Sequence, residues 1–303
     1  MNNWTHAIGD LAPGDQNCAT FDWSGFQITS LSHRDHDLFQ EAYSILWSEF
    51  GEKGELEPSS LLNERLHWDP LEIQNHRSLA YEILMIKKNH RIVALRDHSI
   101  ITTLHQHSAE SIVHLSHAWI APEFRRQGLS GWLRALPIQK ARECLSKLRH
   151  SPQSSITLVA EMEPLETHSP ERVTRLQSYS KAQFSVLDPT RIRYTQPDFR
   201  HAIEIDQSGG PRPIHLLLLL RRLGREQETS ISASHAKTII ESLYHMYSQS
   251  FRPQDMLPLW NQLHQSFAHF HEDYLLDLIP PLPHHSGTRS PHTSQPLSPL
   301  SSI

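Results

Sequence analysis

Ile112-Val-His-Leu-Ser-His-Ala-Trp-Ile-Ala-Pro-Glu-Phe-Arg-Arg-Gln-Gly-Leu-Ser-Gly-Trp-Leu-Arg134 is the stretch from which the rest of the chain can be read. Its first ten residues, 112–121, are apolar and β-rich and stop at Pro122. A basic turn with one glycine follows, Arg125 to Ser130. A helical pattern then runs from Leu129 towards Leu148. A strand feeding a glycine turn that opens a helix is a device for holding phosphate. The first N–H groups of a helix have no intrahelical partner, and the helix dipole makes that end positive. Gly128 lets backbone approach an anion, and Arg125 and Arg126 add charge and donors.

Upstream, Phe26 to Ser30 alternates like a short strand. Asp35 to Phe50 repeats apolar residues at helical spacing and is closed by Gly51. Pro58 to Trp68 reads as a second short helix. Leu79 to Lys87 and Arg91 to Thr103 are β-rich runs joined at Lys88-Asn89-His90, a hairpin signal. Downstream, Ser155 to Ala160 reads as a buried strand. Ser169-Pro170 starts a helix, with Ser169 as N-cap. Phe184 to Asp188, Arg191 to Thr195 and Ile214 to Leu220 read as strands. A meander followed by crossover helices implies a mixed sheet covered by helices, an α/β fold. The expected division is a loose lead-in over 1–25, the sheet domain over 26–223, a helical appendage over 224–280 and a tail over 281–303. The tail is rich in Pro, Ser, His and Thr and too poor in large apolar residues to order itself.

At 303 residues and 38% hydrophobic content the chain can bury one sizeable core plus an addition. A net charge of -5 excludes a global basic field for nucleic acid. Two cysteines, Cys18 and Cys144, form no spaced motif, as in a reducing compartment. No secretory signal opens the chain, and the longest aliphatic run, Ile214 to Leu220, is too short to span a bilayer. A cytoplasmic protein is therefore expected. Histidine is abundant, at 23 residues. The close pairs His105/His107, His114/His117 and His269/His271 come with no familiar ligand set, so no metal is expected.

The turn resembles the phosphate signature of the GNAT superfamily of N-acetyltransferases: Arg or Gln, two residues, Gly, one residue, then Gly or Ala. It reads Arg125-x-x-Gly128-x-Ser130 here, with Ser130 in the last place, and follows Ile120-Ala121-Pro122, similar to the family's Val-x-Pro. The order of elements over 26–223 also matches. The resemblance implies an N-acetyltransferase that uses acetyl-CoA as co-substrate and passes its acetyl group directly to a primary amine of a small molecule or protein. It implies that Ala118, Trp119 and Ile120 lend backbone to the thioester arm. It implies also that Arg125, Arg126, Gln127, Gly128, Leu129 and Ser130 hold the pyrophosphate.

Tyr179 stands five residues before Phe184, similar to the family's Tyr-x-x-x-Gly-Phe, with Gln183 for the Gly. The resemblance implies that it protonates the departing thiolate, against an ordinary half-buried aromatic on an amphipathic helix. For the base, Glu161 and His117 rank equally, with a water chain and no single base as the alternative. Glu161 and Glu163 flank Met162 after the central strand, and histidine titrates near neutral pH. Arg191, Arg193, Tyr194 and Asp198 are candidates for the acceptor side, against an ordinary exposed strand. Ser130, Gln183 and the lack of the family's Asn keep a second reading open: a non-catalytic acyl-CoA-binding regulatory or interaction protein on the same fold.

Overall fold

The computed structural model describes residues 4–31, 36–106, 108–165 and 169–282. The tail beyond 282 and His107 lie outside the described residues. Two 3₁₀ stretches, Trp4–Asp10 and Pro13–Thr20, precede β1 (Phe26–Ser30) and α1 (His36–Leu46), which continues as a π-helical turn over Trp47–Gly51. Then come α2 (Ser59–Arg65), β2 (Ile73–Gln74), β3 (Arg77–Lys88), β4 (Arg91–Leu104) and β5 (Ala109–Ile120). α3 (Leu129–Lys147), β6 (Ser155–Met162), α4 (Pro170–Lys181), β7 (Ser185–Leu187), β8 (Thr195–Gln196) and α5 (Ala202–Gln207) follow. The chain continues with β9 (Ile214–His215), β10 (Leu217–Arg222), β11 (Ser230–Ser232), α6 (Ala233–Ser248), α7 (Pro253–Phe267) and β12 (Leu275–Ile279).

Local chemistry accounts for the long elements. Asn89 and His90 both take positive φ, 49° and 66°, the mirror-image turn whose twist suits a hairpin, and β3 pairs with β4 from Lys88↔Arg91 to Arg77↔Thr103. Ser169 caps α4 by accepting from the Arg172 N–H, and Pro170 sits where an N–H would be unpaired anyway. The large sheet runs β1-β3-β4-β5-β6-β10-β7-β12-β11, with β2 beside β3. β5 and β6 are parallel, joined by the α3 crossover, and the other pairs are antiparallel. This is the mixed, helix-covered sheet that the sequence implied.

Helices cover both faces. α3 and α4 pack on one, where Ile138, Ala141, Leu145 and Leu176 meet Val113, Leu158 and Leu219. On the other, α1 and α2 cover Ile83, Met85 and Leu95, while α6 and α7 cover Ile101, Ile112 and Val159.

Two boundaries differ from expectation. Residues 4–20 are not a loose lead-in: Ala7, Leu11 and Cys18 are buried against Leu129, Trp132 and Leu136 of α3. Period-based reading finds no signal there because the segment is 3₁₀ and buries scattered small residues. The expected appendage over 224–280 continues the sheet. β12 pairs with β7 at Leu278↔Leu187, and β11 pairs with β12. Leu276 and Leu278 point inward from a five-residue strand too short to stand out in sequence.

Candidate active site at a strand opening

β5 and β6 run side by side from Glu110↔Ser155 to His114↔Val159 and then separate. β5 stays with β4 as far as Ile120↔Ala94, and β6 stays with β10 as far as Met162↔Leu217. Each strand therefore leaves with its outer neighbour, and a wedge opens between Leu115–Ile120 and Ala160–Met162. Backbone along that edge of β5 has no strand partner, so an extended ligand arm can hydrogen-bond as a strand would. Ala118, Trp119 and Ile120 lie on this edge. A bulge reshapes it: Ser116 and His117 together stand opposite Asp97 of β4.

The glycine turn lies at the open end. Ala121 N–H donates to Val93 O at 2.9 Å, ending β5, and Pro122–Phe124 makes one 3₁₀ turn. Arg126 has φ 63° and Gly128 has φ 96°. Arg125, Arg126 and Gln127 are exposed, Leu129 is buried, and Ser130 is exposed on the first turn of α3. Arg125 Nε donates to Ile120 O at 3.0 Å, which holds its side chain back along the strand end. No side chain caps α3 at Gly128. The N-terminal segment covers this end instead. A Cβ built on Gly131 would stand 2.8 Å from Cys18 Sγ and 3.1 Å from Asp15 Cβ.

On the other face, His117 is fully tied. Its N–H donates to Asp97 Oδ1 at 2.7 Å, its Nδ1 lies 3.1 Å from the same oxygen, and its Nε2 lies 2.8 Å from Glu55 O. Burial pulls its pKa down, but the Asp97 charge and hydrogen bond win and lift it to about 9. Asp97 is buried too, and His117 holds its carboxyl far below the usual range, while Tyr81 Oη donates to Asp97 Oδ2 at 3.0 Å. A protonated imidazole with both nitrogens engaged has no site for another proton near pH 7.

Glu161 is a buried hub. It accepts from Tyr247 Oη at 2.8 Å, from Gln196 Nε2 at 2.7 Å and from the Tyr194 hydroxyl, and it lies 3.1 Å from His114 Nε2. Burial disfavours its charge, yet the His114 charge and these bonds outweigh that and lower its pKa. Four donors leave this carboxylate little appetite for a proton. Glu163, two residues on, turns the other way and accepts from Arg172 at 2.7 Å and Arg175 at 2.5 Å on α4. Tyr194 is buried, Asp198 pairs with Arg200, and Arg191 and Arg193 face solvent.

Glu55, which no motif marks, meets the same edge of β5 through its backbone. Its carbonyl is fixed by His117 beside the β5 bulge, and its carboxyl is half-buried. Burial and then the Glu163 charge raise its pKa, against Lys53, Arg175 and His117. Tyr179 lies on α4 with its ring edge-on to Phe184, centroids 4.9 Å apart, and the Arg134 guanidinium 5.8 Å from its centre. Its hydroxyl makes no hydrogen bond to a described residue. Among the described residues no group of three or more His, Cys, Asp or Glu is placed to hold a metal ion, and no helix is long and apolar enough to cross a membrane.

No protein-family model and no curated protein matches the chain. Solved structures do. Ard1 from Thermoplasma volcanium is 14% identical, with a TM-score of 0.36, over 65% of this chain and 97% of its own. An aminoglycoside 6'-N-acetyltransferase complexed with coenzyme A is 10% identical, with a TM-score of 0.35, over 65% and 97%. An acetyltransferase of GNAT family from Streptococcus pneumoniae is 13% identical, with a TM-score of 0.32, over 65% and 98%. Superpositions this loose carry no residue's role across, so the roles below rest on the chain's own geometry.

Proposed function

We propose that the chain is a GNAT-type, acyl-CoA-dependent N-acyltransferase of the cytoplasm, moving acetyl from acetyl-CoA to a primary amine of a small molecule or protein. The observation that carries this reading is the wedge between β5 and β6 with the glycine turn at its mouth. The unpaired edge at Ala118, Trp119 and Ile120 suits a pantetheine arm. The turn from Arg125 to Ser130 and the head of α3 suit a pyrophosphate. The two unpaired, buried thiols Cys18 and Cys144 are consistent with a reducing compartment.

The acceptor amine approaches from the face that carries Glu55. Glu55 takes the ammonium proton, for which a raised carboxylate pKa is the useful property. The amine nitrogen then bonds to the thioester carbon, the carbon–sulfur bond breaks, and Tyr179 gives its proton to the thiolate; the second proton, shed by the acylated nitrogen, returns to Tyr179 through water, and the proton held by Glu55 passes to solvent. His117, charged, anchors the Glu55 backbone as a positioning residue. Glu161 acts through its bonds to His114, Tyr194 and Tyr247, bracing the floor of the wedge. The test is thiol release from acetyl-CoA across a panel of primary amines. Wild type is expected to turn over with at least one amine, and Glu55→Gln to lose roughly 10²-fold or more in kcat. CoA binding without thiol release on any amine would favour the second reading, a non-catalytic acyl-CoA sensor. The segment lying across the turn is the observation that favours that reading.

A further inference from the structure

The phosphate turn carries a cover built from the chain's own N-terminal segment. Residues 10–20 lie along α3 and reach α4. Cys18 Sγ would stand 3.3 Å from a Cβ at Gly128 and 2.8 Å from one at Gly131, so the cover presses on both positions and has to shift before Gly131 admits a side chain that is not bonded to it. A Cβ at Gly14 would run into the Lys181 carbonyl at the end of α4. Trp132 Nε1 donates to Cys18 O at 2.9 Å. The segment is anchored by carboxylates. Asp15 accepts from Arg134 Nη2 at 2.7 Å and 2.9 Å and from its Nε at 3.2 Å. Asp10 accepts from both terminal nitrogens of Arg142 at 2.6 Å, and from Gln139, and its carbonyl accepts from Arg221 Nη1 at 3.2 Å. Arg134 also donates to Ser178 Oγ at 3.1 Å, tying α3 to α4.

We propose that residues 10–20 are an internal plug, with the Asp15 carboxylate standing where an anionic ligand group would otherwise meet the head of α3 and Arg134. The steric part follows from the packing: Cys18 stands against Gly128 and Gly131 and Asp15 against Gly131, so an anion reaching the first turn of α3 from that side meets them. The electrostatic part follows from the seat. Arg134 is buried and its charge is neutralised by Asp15, and a phosphate offers the same bidentate geometry. Docked plug and bound ligand therefore exclude each other. The apparent ligand affinity falls by the fraction of molecules whose plug is out. The proposal rests on the acyl-CoA reading for the identity of the ligand and adds that the site is closed at rest.

The test uses CoA as probe and measures binding by calorimetry to the full chain, to Asp15→Asn and to Gly131→Cys. Asp15→Asn keeps the shape of the plug and weakens its hold, so CoA should bind at least about tenfold tighter. Gly131→Cys puts a second sulfur within reach of Cys18, since Cβ and the far sulfur of a disulfide lie about 3 Å apart. Oxidised, it locks the plug and should weaken CoA at least about tenfold. Reductant should restore binding in the same sample. Hydrogen exchange should show residues 10–20 losing protection when CoA binds. If CoA binds wild type, Asp15→Asn and the oxidised lock alike, the plug is overturned and the cofactor reading stands. If CoA binds none of them, Asp15→Asn included, the cofactor reading falls and the plug with it. Should Asp15→Asn fail to fold, the oxidised and reduced lock decides alone.

Discussion

A histidine with both ring nitrogens tied keeps its proton, and His117 turns that into a pH dependence. An unfolded histidine titrates near 6.5, whereas here the value is about 9. Folding therefore strengthens proton binding between those values. The stability that the pair contributes is complete below about pH 6.5 and is lost as pH rises through about 9. Its upper bound is about 3 kcal/mol. The Asp97 side has the opposite sign, since its lowered pKa contributes above its unfolded value and is lost in acid. Wild-type melting temperature should fall by several degrees between pH 6.5 and 9, and His117→Gln should be nearly flat over that range. A variant as steep as wild type would place the titration elsewhere. Sequence could name His117 and Glu161 as ionisable groups beside the strand ends. It could not show that Asp97, Tyr194, Gln196 and Tyr247 converge on them from distant parts of the chain. The same distance hides Glu55, whose only signal is that Gly54 and Leu56 make it one residue of an irregular loop.

At the scale of elements, what sequence shows is what repeats. β3, β4, β5, α3 and α6 each run far enough for a period to emerge, and Ser169 and the Asn89-His90 turn mark ends by their own chemistry. The π-helical turn after α1, the two-residue pairs β8 and β9, and α5 have too few residues to show a period. The parting of β5 from β6 is equally silent, because it depends on which outer strand each one follows. The glycine turn is legible and the segment packed against it is not. The residues pressing on Gly128 and Gly131 come more than a hundred positions earlier. α4 carries an element-scale prediction. Tyr179 packs its ring against Phe184, and its hydroxyl faces no described partner. Tyr179→Phe keeps that packing, so melting temperature and CoA affinity should hold while kcat drops roughly 10²-fold. Equal turnover would leave water as the acid and Tyr179 as packing alone.

For the whole molecule, the question is whether residues 224–282 can be removed. A division at 223 is natural in sequence, because the sheet pattern ends there and a helical one begins. The core does not respect it. Leu243, Tyr244 and Tyr247 of α6 and Leu259 and Leu263 of α7 share one apolar cluster with Ile101, Ile112, Val159 and Leu220 of the central strands. Tyr247 also satisfies the buried Glu161 carboxylate, and its loss would leave that charge short of a donor. Tyr244 Oη donates to Thr195 O at 2.8 Å, and β12 closes the sheet on β7. A chain ending at 223 would expose the inner face of four strands and strip a hydrogen bond from a buried charge. It should therefore give no cooperative melting transition. A chain ending at 282 retains every described element and should melt within a few degrees of the full chain. Tyr247→Phe lies between these extremes. It keeps the ring and removes one donor to a charged group, at a cost of about 1.5–3 kcal/mol. Denaturant unfolding of the three proteins separates the cases. A cooperative 1–223 fragment would mean that the helices are an addition to the fold, and that the charge at Glu161 is held by His114 and Tyr194 without them.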